Sequence, residues 1–293
     1  MMRGMFSAIS GLKVNQTMLD VTANDLSNVN TVGYKSARTT FQDSLAQVAR
    51  GAAGANQSTG GSNALQVGLG VQLGSVDNLM SGGAPMTSGN PLDVFIQGGG
   101  WLRVGLGDGT TVPTAFQYTR AGNLTTNAAG NLTTQDGHYI VGRGATATPD
   151  GAGGFTYTPN ATDGYITIPP GSTDTTIAQD GAVSYIDQAA ASPTFGKRVV
   201  AGYLALSKFA NEGGLQRTGG SMWAETASSG PPTSGTPNTN GFGQTVAGML
   251  EMSNVNLADQ FTTMITAQRG FQANSRVIST ADEMLQDLVN LKR

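Results

Sequence analysis

The residues of this chain that could do chemistry are few, and their spacing does not assemble a reaction. His138 is the only histidine, and there are no cysteines. A His-dependent triad would have to use His138, yet no Gly-x-Ser-x-Gly elbow lies near it. It sits beside the Asp136-Gly137 turn, an ordinary setting for a surface residue at a strand end. Gly68-x-Gly70 and Gly105-x-Gly107 look like pieces of phosphate loops. Neither opens a helix, so the oriented N–H groups that hold a phosphate are missing. Acidic residues are scattered, with no Asp-x-Asp-x-Asp-Gly calcium loop. Without cysteine, thiolate metal sites, disulfides and Cys nucleophiles are excluded. The expectation is a protein with no catalytic residue, no metal site and no cofactor. A secreted adhesin or glycan-binding β module is the reading from a different class. It needs an exposed aromatic platform, and Trp101 and Trp223 both lie close to strand-like stretches.

Composition points the same way. Charged residues make up 12% of the chain, about half the usual ~25%. The 42 glycines are roughly twice the usual share. A surface poor in charge suits a protein that lives packed against others. Net charge is −3 with no basic block, which leaves nucleic acid no electrostatic footprint. No apolar run approaches the ~20 residues that cross a bilayer, so no membrane insertion is expected. No apolar core of signal-peptide length precedes a small-residue cleavage site. Export, if it occurs, is expected without a cleaved signal peptide.

What the chain does carry is periodicity at its two ends. Alternating steps of four and three from Leu257 give Leu257, Phe261, Met264, Gln268, Phe271, Ser275, Ile278, Asp282, Leu285 and Val289, of which seven are apolar. No proline interrupts the run after Pro237. The pattern predicts a long amphipathic helix with a coiled-coil seam. From Val255 to Leu291 it would reach ~55 Å at 1.5 Å per residue. Met5, Ile9, Leu12, Gln16, Leu19, Ala23 and Leu26 repeat the stepping at the other end. The two helices are expected to pack as a coiled-coil-like pair, with Gln16 and Gln268 favouring register over stability. They could satisfy each other within one chain, or the seam could join chains. A two-helix hairpin lacks a third wall, and the C-terminal seam outruns the other by about ten residues, which favours contact between chains. Arg269 and Arg276 share one flank, where they could meet Asp20 or Asp25 across a helix interface or stay solvated.

The chain then divides as follows. Residues 1–36 are an N-terminal assembly helix that stops at Asn28-Val-Asn-Thr-Val-Gly33, where Asn28 and Asn30 suit turns and Gly33 suits a helix end. Residues 37–64 are an extended or flexible arm, with Gly51 to Asn63 lacking any hydrophobic anchor. Residues 65–234 are a β domain in which Val67, Leu69, Val71 and Leu73 alternate and short strands follow between glycine turns. Within it, 143–164 is a small protruding insertion. Residues 235–293 are a linker and the C-terminal assembly helix. The fold class expected is mixed α and β, with the two terminal helices carrying an antiparallel all-β central domain.

Several blocks resemble the bacterial flagellar axial proteins, the family of rod and hook subunits. They are Ser10-Gly-Leu with Ala23-Asn-Asp-Leu-Ser-Asn-Val-Asn-Thr-Val-Gly-Tyr-Lys35, Pro91-Leu-Asp-Val-Phe-Ile-Gln-Gly98, Tyr118-Thr-Arg-Ala-Gly-Asn123, Leu215 through Thr226 with Ser229-Gly230, and Glu251-Met-Ser-Asn-Val-Asn-Leu257 through Ala267-Gln-Arg269. The positions that carry the resemblance are Asn24, Asn28, Asn30, Gly33, Tyr34, Leu92, Asp93, Gly98, Tyr118, Arg120, Asn254, Val255, Gln268 and Arg269. Asp25, where the family commonly has Asn, is a small departure.

The resemblance implies a structural subunit that self-assembles into a helical tube around an export channel. Its partners would be many copies of itself, neighbouring rod and hook–filament junction proteins, and a hook cap. Gln66-Val-Gly-Leu-Gly70 and the ending Leu288-Val-Asn-Leu291 look most like a hook protein, which would be extracellular and pass motor torque to the filament. Hook proteins usually carry a sizeable domain after the segment matching His138–Gly142, and here only about Arg143 to Gly164 is available. The shorter distal rod subunit of the basal body is therefore the alternative.

Overall fold

A computed structural model describes residues 2–54, 60–107, 115–149, 155–188 and 194–291. The chain is a mixed α and β fold that divides into two compact units. Unit 1 comprises Met1–Asn28, Ser36–Leu79 and Val255–Arg293; unit 2 comprises Val29–Lys35 and Met80–Asn254.

Unit 1 holds both long helices, α1 (Met2–Ser27) and α2 (Leu257–Asn290), within a residue or three of the predicted bounds. α1 ends where the Asn28 side chain bonds the Asn24 carbonyl at 2.9 Å, competing with the next helical turn. α2 starts at Asn256, whose side chain accepts from the Ala258 N–H at 3.1 Å, and Asp259 sits favourably at the positive end of the helix dipole. The helices pack antiparallel, because Gly11 meets Asn274 and Asn15 meets Gly270. A Cβ on Gly11 would lie 2.5 Å from Asn274 Nδ2, and one on Gly270 would lie 2.9 Å from Asn15 Oδ1. Each glycine leaves the space into which the facing asparagine side chain reaches.

Two antiparallel ribbons complete unit 1. β1 (Ala37–Asp43) pairs with β4 (Val71–Asn78), and β2 (Ala46–Arg50) pairs with β3 (Leu65–Gly68). The single alternating strand expected from Leu65 to Leu73 is thus two strands, broken at Leu69-Gly70. Gly70 packs on Ser10 of α1, and the Ser10 hydroxyl accepts from the Val71 N–H at 3.2 Å. Residues 65–79, expected to open the β domain, belong instead with the helices, while the arm before them is largely strand. Part of the Gly51–Asn63 tract, residues 55–59, lies outside the described residues.

Unit 2 is built from β5 (Pro85–Thr87), β6 (Val94–Gln97), β7 (Trp101–Gly105), β8 (Phe116–Thr119), β9 (Leu124–Thr126), β10 (Leu132–Thr134), β11 (Tyr139–Pro149), β12 (Phe155–Tyr165), β13 (Thr173–Ile177), β14 (Ala182–Ile186), β15 (Arg198–Leu204), β16 (Leu206–Lys208), β17 (Gln216–Gly219), β18 (Met222–Ala224), β19 (Thr233–Gly235), β20 (Gln244–Ala247) and β21 (Met249–Glu251). Thirteen of these form one antiparallel sheet whose main path runs β13-β14-β15-β11-β7-β8-β18-β17. The extended run from Arg198 to Lys208 is interrupted at Ala205, so that β15 pairs with β11 and β14 while β16 pairs with β7 and β19. β19 ends at the start of the expected linker, and within that linker β20 and β21 return to pair with β6 and β5 before α2 begins. One core gathers Val94, Leu102, Ile140, Ile166, Val183, Leu204 and their neighbours. A second gathers Trp101, Tyr118, Phe209, Leu215 and Trp223. The 143–164 insertion is the outer part of the β11–β12 hairpin, a two-stranded ribbon whose turn lies outside the described residues.

Candidate assembly surfaces and an ion clamp

In unit 2, the segment that leaves α1 is gripped by the strand that leads to α2. Gly33, at φ +68°, lies so close to the Arg120–Ala121 backbone that a Cβ would sit 2.6 Å from the Ala121 nitrogen. Its N–H donates to the Glu251 carbonyl at 2.8 Å. Two residues on, the fully buried Lys35 donates to Glu251 Oε1 at 2.6 Å and to the Ser81 carbonyl at 2.9 Å. Glu251 also accepts from the Gly83 N–H at 2.9 Å and from Arg120 Nη1 at 3.3 Å. Arg120 Nη2 donates in turn to the Gly98 carbonyl at 3.0 Å. Burial pushes the Lys35 ammonium below its ordinary pKa, and the Glu251 carboxylate opposes that shift.

A second cation closes the same segment from the other side. Arg217 stacks 4.7 Å from the Tyr34 ring and 5.0 Å from the Trp223 ring, and donates to the Lys35 carbonyl at 2.6 Å and the Tyr34 hydroxyl at 3.2 Å. Asn254 bonds the Ser81 backbone and hydroxyl at 3.2 and 3.0 Å. Of the motif positions, Gly33, Tyr34, Gly98, Arg120 and Asn254 therefore converge on one clamp. Tyr118 lies in the aromatic core, and Leu92 and Asp93 precede β6, with Asp93 buried and bonded to Asn90 at 3.1 Å. Lys35, Glu251 and Arg217, which complete the clamp, were not singled out by spacing. They stand inside the quoted blocks, which was their only signal.

The chemistry of the clamp is mechanical. Lys35 and Arg120 share the one Glu251 carboxylate, and the buried Arg120 Nε has no hydrogen-bond partner among the described residues. His138 is half-buried after the turn at Thr134–Gly137, and its N–H bonds the Thr134 hydroxyl at 3.2 Å. Trp101 and Trp223 are buried and meet edge to face at 5.8 Å, so neither offers a surface for sugar stacking.

In unit 1 the expected seam and the packed face are different stripes. α1 turns Ala8, Gly11, Asn15, Met18, Thr22 and Asp25 inward, and α2 turns Gln260, Ala267, Gly270, Asn274 and Ala281 inward. Asp25 is fully buried and accepts from the Ala37 N–H at 3.0 Å and from Gln260 at 3.2 Å. The seam positions lie about one residue away, roughly a quarter turn round each helix. Met5, Leu12, Leu19, Leu26, Met264, Ile278 and Leu285 are half-buried. Ile9, Gln16, Ala23, Leu257, Phe261, Gln268 and Phe271 are exposed. Gln16 and Gln268 do not set the intrachain register; the Gly11–Asn274 and Asn15–Gly270 contacts do. Arg269 and Arg276 are exposed and form no ion pair among the described residues, with Asp25 occupied elsewhere. Asn24, Asn30 and Arg269 are exposed motif positions, and Asn28 and Val255 are half-buried.

Three segments of the chain match families of known proteins. Residues 5–35 match the model described as flagella basal body rod protein. Residues 95–185 match the flagellar hook protein FlgE/F/G D1 domain, and residues 246–291 match the flagellar basal body rod FlgEFG protein C-terminal. The flagellar basal-body rod protein FlgG of Bacillus subtilis is 40% identical over 294 residues, covering the whole of both chains. That of Caulobacter vibrioides is 37% identical over 293 residues, 99% of this chain and 100% of the relative. The flagellar hook protein FlgE of Treponema pallidum is 28% identical, and its alignment stretches to 463 positions to span both chains.

Proposed function

The chain belongs to the family of flagellar rod and hook proteins, structural components of the bacterial flagellum, and from that premise we propose that it is a subunit of the distal rod of the basal body. The observation that carries the rod reading over the hook is length. Rod relatives align end to end without extra sequence, whereas the hook relative needs a far longer alignment. The place where a hook protein carries an inserted domain holds a bare two-stranded ribbon here.

The mechanism is polymerisation. The large apolar side chains left open on α1 and α2 are covered by other copies, through head-to-tail contacts that do not close on themselves and so build a helical tube. Unit 2 keeps its own core and its own ion clamp, and so retains its shape through assembly.

Labelling the protein in isolated basal bodies tests this. Signal confined to the periplasmic rod is expected. Signal along the extracellular hook would replace the rod reading with the hook one.

A further inference from the structure

Among the charges on the outer faces of α1 and α2 that join no ion pair among the described residues, four are spaced alike on the two helices. Lys13 and Asp20 are seven residues apart on α1, Arg276 and Glu283 are seven apart on α2, and all four are exposed. Seven residues are about two turns, so each pair lies along one face. Among the described residues none of the four joins an ion pair. Lys13 stands two residues from Gly11 and Arg276 two from Asn274, roughly 200° round each helix from the α1–α2 contact. The intrachain register also sets Lys13 level with Gln272 and Asp20 level with Ile265, neither of which carries a charge.

We propose that α1 of a second copy packs antiparallel along this outer face of α2, with its Lys13 against Glu283 and its Asp20 against Arg276. The contact rests on the assembly reading above and names the elements that carry it. The order of signs selects the direction. Both helices read basic then acidic, so antiparallel alignment joins opposite charges at both places. Parallel alignment would set Lys13 against Arg276 and Asp20 against Glu283. Asp287, one turn beyond Glu283, adds negative potential beside Lys13. The proposed register is slid by about eleven residues from the intrachain one, roughly 16 Å at 1.5 Å per residue. α2 would then hold its own α1 on one side and a neighbour's on the other, which is how a two-helix hairpin gains the wall it lacks.

Charge reversal tests the contact. Asp20→Lys and Arg276→Glu, each alone, should raise the concentration at which polymer sediments by about tenfold or more, since each sets like charges face to face at every repeat. The two together should return it towards that of the unsubstituted chain, and Lys13→Glu with Glu283→Lys should behave alike. Because the chain has no cysteine, one preparation carrying Asp20→Cys can be mixed with another carrying Arg276→Cys and oxidised. A disulfide-linked peptide pair joining the two positions supports the proposal. Polymer that forms without that link, or a double reversal no better than the worse single one, overturns it and leaves the assembly reading standing. An unsubstituted chain that stays monomeric at every concentration overturns both.

Discussion

The two units spend their large side chains in opposite ways. Unit 2 holds both tryptophans and all seven tyrosines, and its bulky residues form two closed cores. Unit 1 joins its helices through glycine, alanine, asparagine and threonine, and leaves Phe6 62%, Phe261 48%, Ile265 52% and Met284 50% exposed. At roughly 25 cal/mol per Å² of apolar area, side chains of this size left in water forgo stabilisation that a partner could supply. A unit that buries its bulk is finished when it folds. A unit that closes on small residues and displays large ones is finished only when another molecule arrives.

The most severe way to break that contrast is to open the closed unit. Glu251→Leu would leave Lys35 and Arg120 as buried cations without their shared carboxylate. Removing one partner of a buried ion pair costs about 3–5 kcal/mol, and a unit of this size should lose roughly 10 °C in its melting temperature. The readout is clean, because every Trp and Tyr signal comes from unit 2. Lys35→Met with Glu251→Leu removes both charges of the strongest pair and should recover much of the loss. A single variant that melts like the unsubstituted chain would mean the clamp contributes nothing.

The contrast also explains what could be read from sequence. The existence and extent of both helices were legible, since the four-three stepping of large apolar residues is a strong signal. The face on which they pack was not, because Gly11, Asn15, Gly270 and Asn274 carry no hydrophobic signal at all. The stepping instead followed a neighbouring stripe, half of it exposed and half of it half-buried. Strands between glycine turns were visible, but their order in a thirteen-stranded sheet depends on pairings far apart in the chain. Lys35 and Glu251, 216 residues apart, have no local pattern that could join them. The blocks that mark the family are shared by rod and hook proteins, so they carry the family but not the choice between the two, for which the rod reading leans on length.

A gentler test uses alkali. Burial, with Glu225 adding to it, pushes the Tyr118 phenol up to about 12. A folded pKa above the ordinary value near 10 gives stability that is complete below pH 10 and lost as pH climbs from 10 through about 12, worth about 2–3 kcal/mol. Tyr157, Tyr185 and Tyr203 shift in the same direction, also through burial. Lys35 works the other way, since its lowered pKa makes its own contribution rise as pH climbs towards 10.5. The near-ultraviolet circular dichroism of unit 2 should therefore collapse above pH 10, and Tyr118→Phe should hold it to higher pH. Identical alkaline midpoints for the two proteins would remove Tyr118 from the account.

The smallest effect expected on the isolated chain is the one that bears most on unit 1. Phe271 is 38% exposed beside the Gly270 notch. In the free chain Phe271→Asp faces water, so it should shift helix stability by no more than ~0.5 kcal/mol and leave the unit 2 transition in place. In a polymer that covers this face, the same carboxylate would be desolvated without a partner at every subunit, at a cost of several kcal/mol each. Assembly should fail although the chain is folded. Gln272→Glu, one residue on, should be far milder, because it lies one turn before Arg276 and its carboxylate gains an opposite charge on its own helix. Circular dichroism at 222 nm reads the helices of unit 1, and electron microscopy reads the polymer. A Phe271→Asp chain that polymerises as readily as the Gln272→Glu chain would show that no copy covers Phe271. The open apolar stripe would then need a different explanation from assembly.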